Sequence, residues 1–289
     1  MLGLHDPYTI ADCCILIVGP YQPAEDPQAC EPKTDEVTMK PPFKIAVLEC
    51  DEPIGRTKAQ YGGYGNVFKA LLDSGAEHVA EKDGVARPAL EISTYDVVQD
   101  QVYPDLDAVD AVLLTGSRHD SFADEPWILK LVAFTRRVLQ QDRVRIIGVC
   151  FGHQIVGRAM DVKVDRSDRG WEVSVTPMQL TERGKALFGV PELAIHQMHR
   201  DIVYTYPASV ESLGHSPRCD VQGMYTKGRL ITVQGHPEFT GDIVEELLEN
   251  RHERGIFDDA MFKDGMSRVR KRHDGVAVGA AFLRFLGED

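Results

Sequence analysis

The 289-residue chain has no CxxC pair and no cysteine–histidine spacing of the kind that holds zinc; its cysteines are Cys13, Cys14, Cys30, Cys50, Cys150 and Cys219. That pattern predicts neither a disulfide framework nor a structural metal. Long apolar runs are also missing. The stretch from Cys13 to Val18 falls far short of the ~20 residues of a spanning helix. The opening MLGLHDPYTIADCCILIVGP has no basic leader and carries Asp6 and Asp12, which makes a poor export signal. A cytoplasmic, reducing setting with free thiols is the expectation. Positive charge is scarce: 32 Lys and Arg against 45 Asp and Glu leave a formal charge of -13, with pI ≈ 5.2. Nucleic acid and anionic membranes attract basic surfaces, so neither is expected as a partner. There is no P-loop and no GxGxxG; YGGYG at Tyr61 to Gly65 has neither spacing and reads as a substrate-side loop rather than a phosphate cradle. The one basic run, RVRKRHDG at Arg268 to Gly275, reads as a solvated face.

With 43% hydrophobic residues, the chain is long enough to bury a full core. Residues 1–42 read as an N-terminal extension. Its part from Pro20 to Pro42, rich in proline and acidic residues, is a loose connector, and the apolar run before it is either an added strand or an appendage. Residues 43–289 read as one domain. FKIAVLEC is a short buried strand, and YGGYGNVFKALLDSG places Val67, Phe68, Leu71 and Leu72 at helical spacing up to Gly75. EISTYDVV, VDAVLLTG and VRIIGVC read as further strands, EPWILKLVAFTRRVLQQ as a helix, and another helix opens at Gly152. Strands alternating with helices predict an α/β fold with a mainly parallel open sheet and helices on both faces. The shorter β-rich runs between Trp171 and Gln234 add a smaller antiparallel portion.

The stretch IIGVCFGHQIVGRAM sets Cys150 between a strand and a helix, with Gly148 and Gly152 on either side. In an open parallel sheet, reactive groups collect at the carboxyl ends of strands. A glycine-flanked strand-to-helix turn is the geometry of a nucleophile elbow, and the helix N-terminus behind it favours a thiolate. Its free N–H groups, beginning with that of Phe151, suit an oxyanion; a second donor is expected from Thr115, Gly116 and Ser117 at another strand end. Against this stands the commoner fate of a cysteine, a small buried hydrophobe. A thiolate nucleophile needs a base, and the base needs an orienting acceptor. LITVQGHPEF offers His236 and Glu238 two residues apart, hence on one side of an extended chain.

GVCFGHQ together with GHPEF resembles the paired signature of class I glutamine amidotransferases. YGGYGNVF, GSRHDSFADEPWILKL, FGHQI and QGHPEF look most like the stand-alone cytosolic γ-glutamyl peptidases of plants and their fungal relatives. The resemblance runs from about Phe43 to the end and implies a flavodoxin-like fold and a cysteine hydrolase. It makes Cys150 the nucleophile, His236 the general base and acid, and Glu238 the orienting carboxylate. Gly116 and Phe151 become the oxyanion hole, Gln154 meets the backbone end of the glutamyl group, and Gly170 and Trp171 line the same pocket. His199 and Asp201 in HQMHRDIV match an H-x-D element, with either a substrate-pocket or a structural role. Tyr61, Tyr64 and Phe122 are expected on the leaving-group side.

The expected reaction is hydrolysis of a γ-glutamyl amide or peptide through a thioester on Cys150, with a small-molecule substrate and no cofactor. One alternative is a glutaminase subunit feeding ammonia to a separate synthetase, which the resemblance to stand-alone peptidases disfavours. The other, of a different class, is a catalytically silent binding or regulatory protein on the same fold.

Overall fold

The structure, a computed structural model, describes residues 41–288. The expectations for the N-terminal run and the connector fall almost wholly outside them. In chain order the elements are β1 (Phe43–Glu49), α1 (Gly55–Tyr61), α2 (Tyr64–Asp83), β2 (Leu90–Asp96), β3 (Ala111–Leu114), α3 (Pro126–Leu139), β4 (Arg145–Val149), α4 (Phe151–Ala159), β5 (Val164–Arg166) and β6 (Glu172–Leu180). They continue with α5 (Glu182–Phe188), β7 (Leu193–His199), β8 (Asp201–Val203), β9 (Glu211–His215), β10 (Gly223–Thr226), β11 (Leu230–Val233), α6 (Gly241–Glu253), α7 (Asp259–Arg268) and α8 (Gly275–Leu286).

Nine strands form one sheet in the order β2-β1-β3-β4-β11-β10-β9-β6-β7. The half from β2 to β11 is parallel, and the half from β11 to β7 is antiparallel. β5 and β8 pair separately. Strand residues alternate between faces, and the core splits accordingly. Phe43, Ile45 and Val47 of β1 pack with Phe68, Leu72, Phe282 and Phe285 from α2 and α8. Ala46 and Leu48 of the same strand face Ile128, Leu131, Ile155 and Val156 from α3 and α4. Helices therefore cover both faces, and every βα turn opens at one end of the parallel half.

Two local expectations need correction. The first helix does not stop at Gly75: α2 continues to Asp83, and a side chain at Gly75 would run into the backbone of Gly279 and Ala280 in α8. The glycine marks a close helix crossing, which sequence reads as a terminator. The basic run is not wholly solvated either, because Arg268 Nη1 donates to the carbonyls of Val173 and Val175 and ties α7 to β6. Among the described residues no helix is long and apolar enough to cross a membrane.

Candidate active site

β4 ends at Val149 and α4 begins at Phe151, so Cys150 alone makes the turn, at φ 51° and ψ -104°. A non-glycine residue held there stores of order 1–3 kcal/mol of strain. Neighbouring strand ends hold it in place: Cys150 N–H donates to the Val233 carbonyl at 2.9 Å, and Gly152 N–H to that of Thr115 at 3.1 Å. Only glycine fits at 152, where a Cβ would lie 2.3 Å from the Leu114 carbonyl oxygen. The side chain of Phe151 turns away and stacks on Trp127.

His236 follows β11 and is anchored by its N–H on the His196 carbonyl at 2.7 Å. Its ring lies flat on Phe239, centroids 4.0 Å apart, and Nδ1 donates to Glu238 Oε1 at 2.8 Å. Both side chains are buried. With Nδ1 engaged, Nε2 is the nitrogen left for Cys150. Burial alone would push the imidazolium down, but Cys150 and then Glu238 outweigh it and raise His236 above its ordinary value. Gly116, just past β3, closes the triangle: a Cβ there would sit 2.6 Å from His236 Cε1 and 3.7 Å from Cys150 Cβ. Among the described residues the N–H groups of Gly116 and Phe151 have no acceptor.

These groups open into a cavity of ≈ 480 Å³. Cys150, His236, Glu238 and Gly116 line it, and so do Gln154, Trp171, His199 and Asp201. Gly170 stays outside, at an exposed left-handed corner with φ 79°, so only the tryptophan of that pair reaches the cavity. Tyr64 lines it as well, whereas Tyr61 and Phe122 do not; Phe122 instead lies under the Arg166 guanidinium. A second cavity, between Leu139, Met160, Tyr206 and Arg229, has no cysteine, histidine or carboxylate on its wall.

Gln154 has a fixed amide orientation. Its Nε2 donates to the Asp201 carbonyl at 2.7 Å and to Gln234 Oε1 at 3.2 Å. A carbonyl only accepts, so the atom facing it is the nitrogen, and both its hydrogens are used. Oε1, without a partner among the described residues, is left as the acceptor on the cavity wall.

Sequence reasoning missed Arg251. This α6 residue lines the cavity and lies over the rings of Trp171 and Phe257 at 5.6 and 5.9 Å. Its Nη1 is buried without a hydrogen-bond partner among the described residues, and burial pushes the guanidinium below its ordinary value. Nothing in DIVEELLENRHERG separates Arg251 from the solvent-facing charges around it.

The class I glutamine amidotransferase family matches residues 71–252, well over half the chain, and the chain belongs to that family. A glutamine amidotransferase-like protein of Schizosaccharomyces pombe is 32% identical over 85% of this chain and 99% of its own length. Gamma-glutamyl peptidase 3 of Arabidopsis thaliana is 30% identical over 74% of this chain and 83% of its own. In fold, the chain is similar to a glutamine amidotransferase of Thermotoga maritima, with TM-score 0.59 and 14% identity over 84% of this chain and 98% of that one.

Proposed function

We propose that the chain is a cysteine hydrolase that cleaves a γ-glutamyl amide or peptide bond without a partner synthetase. The observation that carries the reading is the strained Cys150 turn set against the His236–Glu238 pair, with Gly116 between them. The Cys150 thiolate attacks the γ-carbonyl. The oxyanion is received by the N–H groups of Gly116 and Phe151, preset donors that need no reorganisation. His236 passes a proton to the leaving amine as the C–N bond breaks, which leaves a γ-glutamyl thioester. His236 then takes a proton from water, which attacks the thioester and releases glutamate. Glu238 keeps the imidazole in the tautomer that faces Cys150.

The amino-acid end of the glutamyl group carries both charges, and the cavity offers a complement for each. Gln154 Oε1 accepts from the α-ammonium, and Arg251, whose Nη1 has no partner among the described residues, takes the α-carboxylate. Purified protein, without ATP, should release glutamate from glutathione or an S-substituted glutathione faster than from glutamine. Glutamine turnover that appears only with a synthetase and ATP would replace this reading with the ammonia-donor one.

A further inference from the structure

Behind the cavity wall lies a second buried histidine–carboxylate pair that the proposed chemistry does not use. Glu172 opens β6 and is the direct cross-strand neighbour of His199, the last residue of β7. Both are buried. His199 Nε2 lies 3.1 Å from Glu172 Oε2, outside hydrogen-bond geometry. Ser216 Oγ donates to the other carboxylate oxygen at 2.6 Å, and Gln222 Nε2 to Oε2 at 2.8 Å. Burial would raise this carboxyl, but His199, Ser216 and Gln222 together hold it below its ordinary value.

The other face of His199 leads to the cavity. Its Nδ1 lies 3.2 Å from the Asp201 carbonyl, the same oxygen that receives Gln154 Nε2. Carbonyl and carboxylate both only accept, and each ring nitrogen faces one of them. Both nitrogens of His199 are thus turned to protein groups, although the residue lines the cavity. We propose that Glu172 is a positioning residue for the substrate's amino end: it fixes His199, which steadies the Asp201 carbonyl, and so holds the Gln154 amide with its oxygen toward the cavity. Glu172 touches no substrate. The proposal rests on the γ-glutamyl reading above.

The test compares γ-glutamyl p-nitroanilide with glutaryl p-nitroanilide, which lacks only the α-amino group. A site built to hydrogen-bond a group rejects an analogue without it by up to ~10⁴-fold, so the wild type should favour the glutamyl compound strongly. Gln154→Leu should collapse that preference. Glu172→Gln should cut it at least about tenfold through KM for the glutamyl substrate, with kcat and glutaryl turnover nearly unchanged. Should Glu172→Gln fail to melt cooperatively, His199→Gln serves in its place, since it removes the ring while leaving an amide donor, and the same loss of preference is expected. A folded variant that keeps the wild-type preference, or loses kcat equally on both substrates, would overturn the positioning role while leaving the hydrolase reading intact. A wild type that cleaves neither compound would instead sink the hydrolase reading, and this proposal with it.

Discussion

His236 and Glu238 are joined by a 2.8 Å hydrogen bond from Nδ1 to Oε1, and that bond decides which imidazole nitrogen faces Cys150. The carboxylate also helps raise the imidazolium. In the wild type the protonated form persists well above the ordinary histidine range and is lost only as pH rises through the raised value. In Glu238→Gln one of the supporting charges is gone, so that loss begins at lower pH. The alkaline limb of kcat/KM should move toward acid in Glu238→Gln, and activity at its optimum should exceed that of His236→Ala, where a ~10²–10⁴-fold drop is expected. An unmoved alkaline limb would contradict this account of the pair.

Cys150→Ala and Cys150→Gly should both abolish glutamate release. They should differ in stability, because glycine accepts a positive φ without a Cβ penalty and alanine does not. The glycine variant should melt higher, by about 1 kcal/mol at the midpoint. Equal melting temperatures by calorimetry would show that the turn stores no strain.

Gly116→Ala puts a methyl group 2.6 Å from His236 Cε1. The imidazole has to shift, and a misplacement of about 1 Å costs on the order of 10²-fold in rate. Activity assays paired with a thermal melt check this; a folded Gly116→Ala protein with wild-type kcat would contradict the close approach.

Arg251→Met keeps much of the stem that packs on Trp171 and Phe257 but removes the charge. Loss of a charge-assisted contact of about 1.5–3 kcal/mol should raise KM for γ-glutamyl substrates roughly ten- to hundred-fold, with a smaller effect on kcat. A KM within twofold of wild type would take Arg251 out of substrate binding.

A glutamine-like alkylating agent should label Cys150 ahead of Cys50 and Cys219. Burial pushes the Cys50 thiol up to about 12 and that of Cys219 higher still, and neither lines the cavity. Peptide mapping that finds all three equally modified would count against a selectively reactive Cys150.

Much of this was legible in the sequence because it depends on near neighbours. The short continuous apolar runs of β1, β3 and β4 and the helical spacing of α2 and α3 record their own burial. The glycine-flanked Cys150 and the His236–Glu238 spacing likewise encode a turn and a shared face within a few residues. Tertiary structure decided the rest. Gly75 reads as a stop until α8 is seen to cross it. Gly170 and Trp171 are adjacent in the chain, yet the left-handed corner at Gly170 turns only Trp171 into the cavity. Glu172 and His199 are separated by a helix and most of two strands, and only the β6–β7 register makes them a pair. Arg251 looks like any exposed charge on an amphipathic helix. Its burial over Trp171 and beside the cavity comes from where α6 docks, and a local pattern holds no record of docking.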